Sequence, residues 1–200
     1  MVEGKCQLWH TGRVSKLQKK KKVFVALSGG VDSSVAAALL KEEGYDVVGV
    51  FMRVWQAPFL PCTQEGERKD AMRVAATLGI PFLTFDFEKE YKRDVVDYLL
   101  REYAAGRTPN PDVMCNKYIK FGAFLRRARA LGADAIATGH YAQIVNRTSY
   151  NVERKDATRY TLHVSCDEEK DQSYFLWTLS QEVLQSVLFP VGGYRKQEVR

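Results

Sequence analysis

Short unbroken apolar runs that alternate with helical spacings constrain this 200-residue chain more than any other feature. The first run is Val23-Phe24-Val25-Ala26-Leu27. An apolar pentad of this kind reads as a strand buried on both faces of a parallel sheet. A helix is predicted over 32–43, with Val35, Ala36, Leu39 and Leu40 on one face and Gly44 as its stop. The cycle repeats, with strands predicted at 46–52, 81–87 and 135–138 and helices at 67–78, 89–104 and 117–131. Residues 53–66, with Pro58 and Pro61, predict irregular chain, and 105–116, with Gly106, Pro109 and Pro111, predict a loop. This order predicts an α/β fold, a Rossmann-like parallel sheet with helices on both faces and right-handed crossovers.

Beyond His140 the pattern changes. Two β-like stretches, 143–145 and 160–164, flank polar residues and predict an antiparallel hairpin. A helix is predicted from Asp171 through Trp177, with Asp171 as cap and Tyr174, Phe175 and Trp177 as core. A second short helix is predicted to about Leu188, and the first turns of another at 194–200. The fold thus carries a small hairpin-plus-helix extension. The expected organisation is a flexible basic tail, 1–22, ahead of one domain, 23–200.

A net charge of +6 favours an anionic partner such as nucleic acid. No apolar run approaches the roughly 20 residues that span a bilayer, so no membrane partner is expected. Cys6, Cys62, Cys115 and Cys166 are widely spaced without a Cys-x-x-Cys pair. That argues against structural zinc, no metal ligand is assigned, and free thiols in the cytoplasm are expected.

Ser28-Gly29-Gly30-Val31-Asp32-Ser33-Ser34 joins the first strand to the first helix. Two glycines let the backbone N–H groups approach an anion, the helix dipole points there, and three serines add hydroxyls. The plain structural role would be a tight turn with Asp32 as helix cap. The turn lacks the Walker Gly-Lys-Ser/Thr ending. It resembles the Ser-Gly-Gly-x-Asp-Ser loop of the PP-loop ATP pyrophosphatases. That resemblance implies ATP with Mg²⁺ held at Ala26, Leu27, Ser28, Gly29, Gly30, Val31, Asp32 and Ser33. It also implies adenine near Met52 and Gly139, whose plain roles would be core packing and a turn. His140 is given no catalytic role.

Gly106-Arg107-Thr108-Pro109-Asn110-Pro111-Asp112-Val113-Met114-Cys115-Asn116 is stiffened by its prolines. Placed where a helix begins, with Lys117 and Lys120 near, Cys115 is expected to favour thiolate, although a free Cys is more often a small buried hydrophobe. The stretch from Gly106 to Phe121, Leu-Gly-Ala-Asp-x-Ile-Ala-Thr-Gly-His-Tyr at 131–141 and Lys-Asp-Gln-Ser-Tyr-Phe-Leu at 170–176 together resemble the tRNA-specific 2-thiouridylases. The likeness runs from about Lys22 to Arg200.

It implies Cys115 as nucleophile, Asn110, Pro111 and Asp112 against the target uridine, and Lys170, Asp171 and Gln172 against tRNA. The implied reaction adenylates the C2 oxygen of the wobble uridine. Sulfur then replaces it, delivered as a persulfide by way of a donor protein. In this family the persulfide forms on a second cysteine in a Gly-Ile-Cys-Phe-like motif, expected beyond residue 200 with a central domain and a β-barrel. Other PP-loop adenylating ligases or amidotransferases, and a non-catalytic nucleotide- or RNA-binding fragment, remain as alternatives. Whether an iron–sulfur cluster takes part is left open.

Overall fold

The computed structural model describes residues 20–59, 63–148 and 158–200. Most of the basic tail, together with Cys6 and Cys62, lies outside them. A five-stranded sheet is built from β1 (Lys22–Ala26), β2 (Asp46–Arg53), β3 (Phe82–Asp86), β4 (Ala135–Ala137) and β7 (Val187–Leu188). Its order is β3-β2-β1-β4-β7, and every pairing is parallel. An antiparallel hairpin, β5 (Gln143–Thr148) with β6 (Thr158–His163), forms a separate two-stranded sheet.

Alternation along β1 sorts its side chains to two cores. Val23, Val25 and Leu27 pack with Ala37 and Leu40 of α1 (Val31–Glu42) and with Ala71 and Ala75 of α2 (Gln64–Leu78). Phe24 points the other way, into a larger cluster with Phe85, Val95, Ile119, Phe124 and Ile136. Both faces of the sheet are therefore covered, which is why its strands read as continuous apolar runs. The second face is covered by α3 (88–104) and α4 (111–130), each α-helical with a π-helical stretch, Lys92–Val96 and Cys115–Ala123.

Several boundaries differ from the sequence reading. Lys22, expected in the tail, is the first residue of β1 and pairs with Asp46. Helix α2 begins at Gln64 rather than at 67, because the Gln64 amide bonds both the N–H and the carbonyl of Val54 and ties the helix start to the end of β2. Residues 111–116 are helical rather than loop. Asn110 Oδ1 accepts from the N–H groups of Asp112 and Val113, which caps a helix with Pro111 at its first position.

The helix expected to run to Leu188 stops early as α5 (Gln181–Leu184), and Val187–Leu188 joins the sheet beside β4 as a fifth strand. The helix expected at 171–177 is a single 3₁₀ turn, Ser173–Leu176. Only Leu176 is fully buried there, whereas Tyr174 and Trp177 are 70% and 69% exposed rather than core. The last helix, α6, is Lys196–Val199. No helix among the described residues is long and apolar enough to cross a membrane.

Candidate functional site

Strand order reverses direction between β1 and β4, and in open α/β sheets the crevice beyond that point is where ligands bind. The turn after β1 and the turn after β4 meet there. Gly29 has φ +81°, and a Cβ on it would lie 2.8 Å from Asp70 Cβ and 3.0 Å from the Glu67 carbonyl. Gly139 is crowded differently, since a Cβ on it would meet the Ser33 nitrogen at 2.7 Å. These glycines let the phosphate turn press against α2 and let the β4 turn lie on the first turn of α1.

The turn at 28–33 is closed by its own short-range bonds. Ser33 Oγ donates to the Gly30 carbonyl (3.0 Å), Ser34 Oγ donates to the same oxygen (2.8 Å), and the Gly30 N–H donates to Ser28 Oγ (3.3 Å). Gly30, not Asp32, is the cap residue of α1. Asp32 turns its carboxylate to other partners. It accepts from the Tyr141 hydroxyl at 2.9 Å and pairs with Lys196. Burial, and next the bond to Asp32, push the Tyr141 phenol well above its ordinary range.

A cavity of about 360 Å³ opens at this point. Of the residues assigned to ATP from sequence, Ala26, Leu27, Ser28, Asp32, Ser33, Met52 and Gly139 line it. Gly29, Gly30 and Val31 belong to the same turn but do not line the cavity. Thr138 and His140, which follow the fourth strand and were expected to face this crevice, line it too, while sequence reasoning missed Phe51, Val54, Gln56, Gln64, Glu67 and Lys120 as its walls. The βα connection from β2 to α2 was the available signal for the middle group, because it too leaves the carboxyl end of a strand. Gln56 carries a buried amide oxygen with no hydrogen-bond partner.

His140 is 8% exposed, accepts or donates at Nδ1 with Thr138 Oγ1 (2.7 Å), and packs against Phe121 and Phe189. Burial, helped by the charge of Lys120, pushes its pKa down to about 3, so the ring is neutral at physiological pH.

Cys115 sits one turn inside α4 rather than at its start, and it is a free thiol. Burial pushes the thiol up, Lys120 opposes that rise and Asp112 adds to it. The expectation of a thiolate favoured by the helix start is therefore corrected, because Asn110 moves the start upstream and the sulfur packs against the core. Lys117 plays no part in the balance, its ammonium lying over the Tyr118 ring.

Among the residues assigned to RNA, Asn110 is the helix cap and Asp112 is exposed beside it. Lys170 is exposed. Asp171 accepts from the Ser165 N–H (2.8 Å) and from Ser173 Oγ (2.6 Å). Gln172 lines the cavity and pairs twice with Tyr141, its Oε1 accepting at 3.0 Å and its N–H donating at 2.8 Å. Asn116 Nδ2 donates to the Phe175 carbonyl (3.1 Å) and thereby joins the cysteine helix to this segment. No group of three or more His, Cys, Asp or Glu among the described residues is arranged to hold a metal ion.

A family model described as the tRNA methyl transferase HUP domain matches residues 21–200. The chain belongs to this family. Two proteins named tRNA-specific 2-thiouridylase MnmA, from Streptococcus pyogenes serotype M2 and Streptococcus mutans serotype c, are each 55% identical over 183 residues. The alignments cover 90% of this chain and 47% of each relative, so the chain spans about half the length of the curated relatives it matches. A solved structure described as a predicted subunit of tRNA methyltransferase, from Methanocaldococcus jannaschii, shares the fold. It has a TM-score of 0.51 at 17% identity and covers 90% of this chain and 72% of its own.

Proposed function

We propose that this family member supplies the ATP-using part of a cytoplasmic tRNA-uridine 2-sulfurtransferase that thiolates the wobble uridine at C2. The observation that carries the reading is one cavity, at the switch point of a parallel sheet. It is lined by Ser28, Asp32 and Ser33 of the turn and by Lys120 from the helix that carries Cys115. The sequence likeness to proteins named 2-thiouridylases supports the same assignment.

The residues present fit a nucleotide. The backbone N–H groups of the turn, with Ser28 and Ser33, suit its phosphates. Met52 and Gly139 flank the place for the base, and the unpartnered Gln56 oxygen offers an acceptor suited to an exocyclic amino group. Mg²⁺ would find two carboxylates on the cavity wall, Asp32 and Glu67, of which Asp32 is engaged by Lys196. Such ions commonly take one or two carboxylates plus substrate phosphates. ATP, when bound, supplies the adenylyl group that activates the uridine C2 oxygen.

Asn110, Pro111 and Asp112 hold the flipped uridine, whose extrusion costs a few kcal/mol and least in a single-stranded loop. Cys115 handles the incoming sulfur, which a persulfide donor protein provides. Lys170, Asp171 and Gln172 bind the tRNA, and the exposed rings of Tyr174 and Trp177 beside them suit base stacking.

The test is to incubate the protein with α-labelled ATP, tRNA and a persulfide donor, then digest the RNA and analyse its nucleosides by mass spectrometry. AMP transfer to tRNA and 2-thiouridine at the wobble position are expected. AMP on a different acceptor would point to another PP-loop ligase or amidotransferase. ATP and tRNA binding without transfer would leave a binding module.

A further inference from the structure

The cavity holds one lysine that neither the phosphate turn nor the uridine-contacting set explains. Lys120 is half-buried and lines the cavity together with Ser28 and Ser33. Among the described residues it is the only lysine or arginine lining the cavity, whose walls include the carboxylates of Asp32 and Glu67. Lys196 already pairs with Asp32, and Lys120 takes part in no ion pair among the described residues. A half-buried cation left without a carboxylate, on the wall of a pocket built for phosphates, is placed for an anionic ligand.

The same side chain reaches the other half of the chemistry. Cys115 and Lys120 are five residues apart on α4, which in an α-helix would set them roughly 140° apart around the axis. Here the stretch Cys115–Ala123 is π-helical, and the Phe124 N–H at its end donates to the Ile119 carbonyl, five residues back. That i→i+5 pattern brings residues five apart onto one side of the helix. Lys120 accordingly acts on two groups, favouring the thiolate of Cys115 and disfavouring protonation of His140. The other titratable groups that bear on the thiol are Asp112, from the same helix, and the phenol of Tyr91, from α3.

We propose that Lys120 couples the phosphate cradle to the Cys115 thiol: one ammonium serves both, and a nucleotide in the cradle withdraws its charge from the sulfur. The proposal rests on the reading of the cavity as a nucleotide site. Thermodynamic linkage makes the coupling reciprocal, so deprotonating Cys115 must weaken nucleotide binding by the factor with which the nucleotide opposes deprotonation. The device would hold the thiol protonated while ATP is loaded and release it as a nucleophile once the phosphates have left. Lys120 is a positioning residue in this scheme, because it acts on the sulfur through its charge and forms no bond to it.

The test follows iodoacetamide alkylation of Cys115 against pH by peptide mass mapping. It is run with and without α,β-methylene-ATP, whose bridging carbon blocks cleavage, alongside calorimetric titration of the same nucleotide. In the wild type the nucleotide is expected to raise the midpoint of alkylation by about one pH unit, at the lower end of what a neighbouring opposite charge contributes. K120Q is expected to raise the midpoint without nucleotide, to abolish the nucleotide's effect, and to weaken binding roughly tenfold. K120R is expected to keep both properties, and K117Q to leave both unchanged.

A wild-type midpoint that does not move when nucleotide binds overturns the coupling without recourse to any variant. K120Q behaving as wild type, or K117Q behaving as K120Q, overturns it as well. Absence of nucleotide binding by the wild type is a different failure, since it overturns the cavity assignment itself and this proposal with it.

Discussion

The turn at 28–33 and the cysteine helix approach the same cavity, but they rely on distant contacts to different degrees. Ser28, Gly30, Ser33 and Ser34 exchange hydrogen bonds within seven consecutive residues, so the turn is assembled from its own segment. The cysteine helix is placed from far along the chain. Asn116 bonds Phe175, 59 residues on, and Phe121 packs against His140 and Phe189. The turn at 28–33 is thus closed largely by its own segment, although Gly29 lies against α2 and Asp32 is held by Tyr141 and Lys196. The thiol half depends on the β4 turn and the 170–176 segment being folded around it.

The sharpest way to separate the two halves is Cys115→Ser. Sulfur transfer is expected to fall at least about a thousandfold, as when a nucleophile is removed from a site that acts as a unit, while ATP affinity stays within about twofold. Thiouridine content of digested tRNA and calorimetric ATP titration check the two halves; an equal loss of both would show them to be one unit.

Gly29→Ala attacks the turn. The residue has φ +81°, and the added Cβ meets Asp70 and the Glu67 carbonyl. A left-handed non-glycine costs roughly 1–2 kcal/mol before the clash is counted. Nucleotide affinity is expected to drop at least about tenfold with the thermal midpoint lowered, and wild-type affinity would show that the turn does not need this geometry.

His140 lies on the seam between the halves and ties stability to pH. Its pKa is near 3 in the fold, against an ordinary value of 6.5. Below pH 6.5 the unfolded chain therefore takes up a proton that the folded ring refuses. Stability present above pH 6.5 is lost as pH falls toward 3, with a limiting slope of about 1.4 kcal/mol per pH unit. Urea titrations from pH 7 to 4 are expected to show this slope in the wild type and a flatter one in H140Q.

Asn110→Ala is the mildest of these changes. Loss of the cap should cost about 1 kcal/mol of stability by urea denaturation. If the cysteine helix is placed by its distant contacts, alkylation of Cys115 should change little; a large rise in its reactivity would show that the cap, not the tertiary packing, keeps the sulfur buried.

Sequence patterning reached furthest where the physics is local. Val23–Leu27 reads as a doubly buried strand because its alternate residues feed two separate cores. The Gly-Gly turn is legible because its two glycines and three serines lie within seven residues. Where the outcome depends on distant neighbours, the pattern misled. Pro111 looked like a loop residue, yet with Asn110 as cap it opens a helix and moves Cys115 inward. Val187–Leu188 is too short to announce a strand, and it becomes one only because β4 offers an open edge.

By itself, then, the chain's order of residues determined the parallel α/β architecture, the turn at 28–33 and the motifs that carry the family likeness. Folding in three dimensions decided which residues wall the cavity, from Ala26 to Gln172. It also decided how deeply Cys115 is buried, and that Lys120 lines the cavity while its charge bears on the sulfur. A hydrogen-bonded turn is specified by neighbours a few bonds apart. Burial, charge balance and pocket walls are sums over groups that only the completed topology brings together.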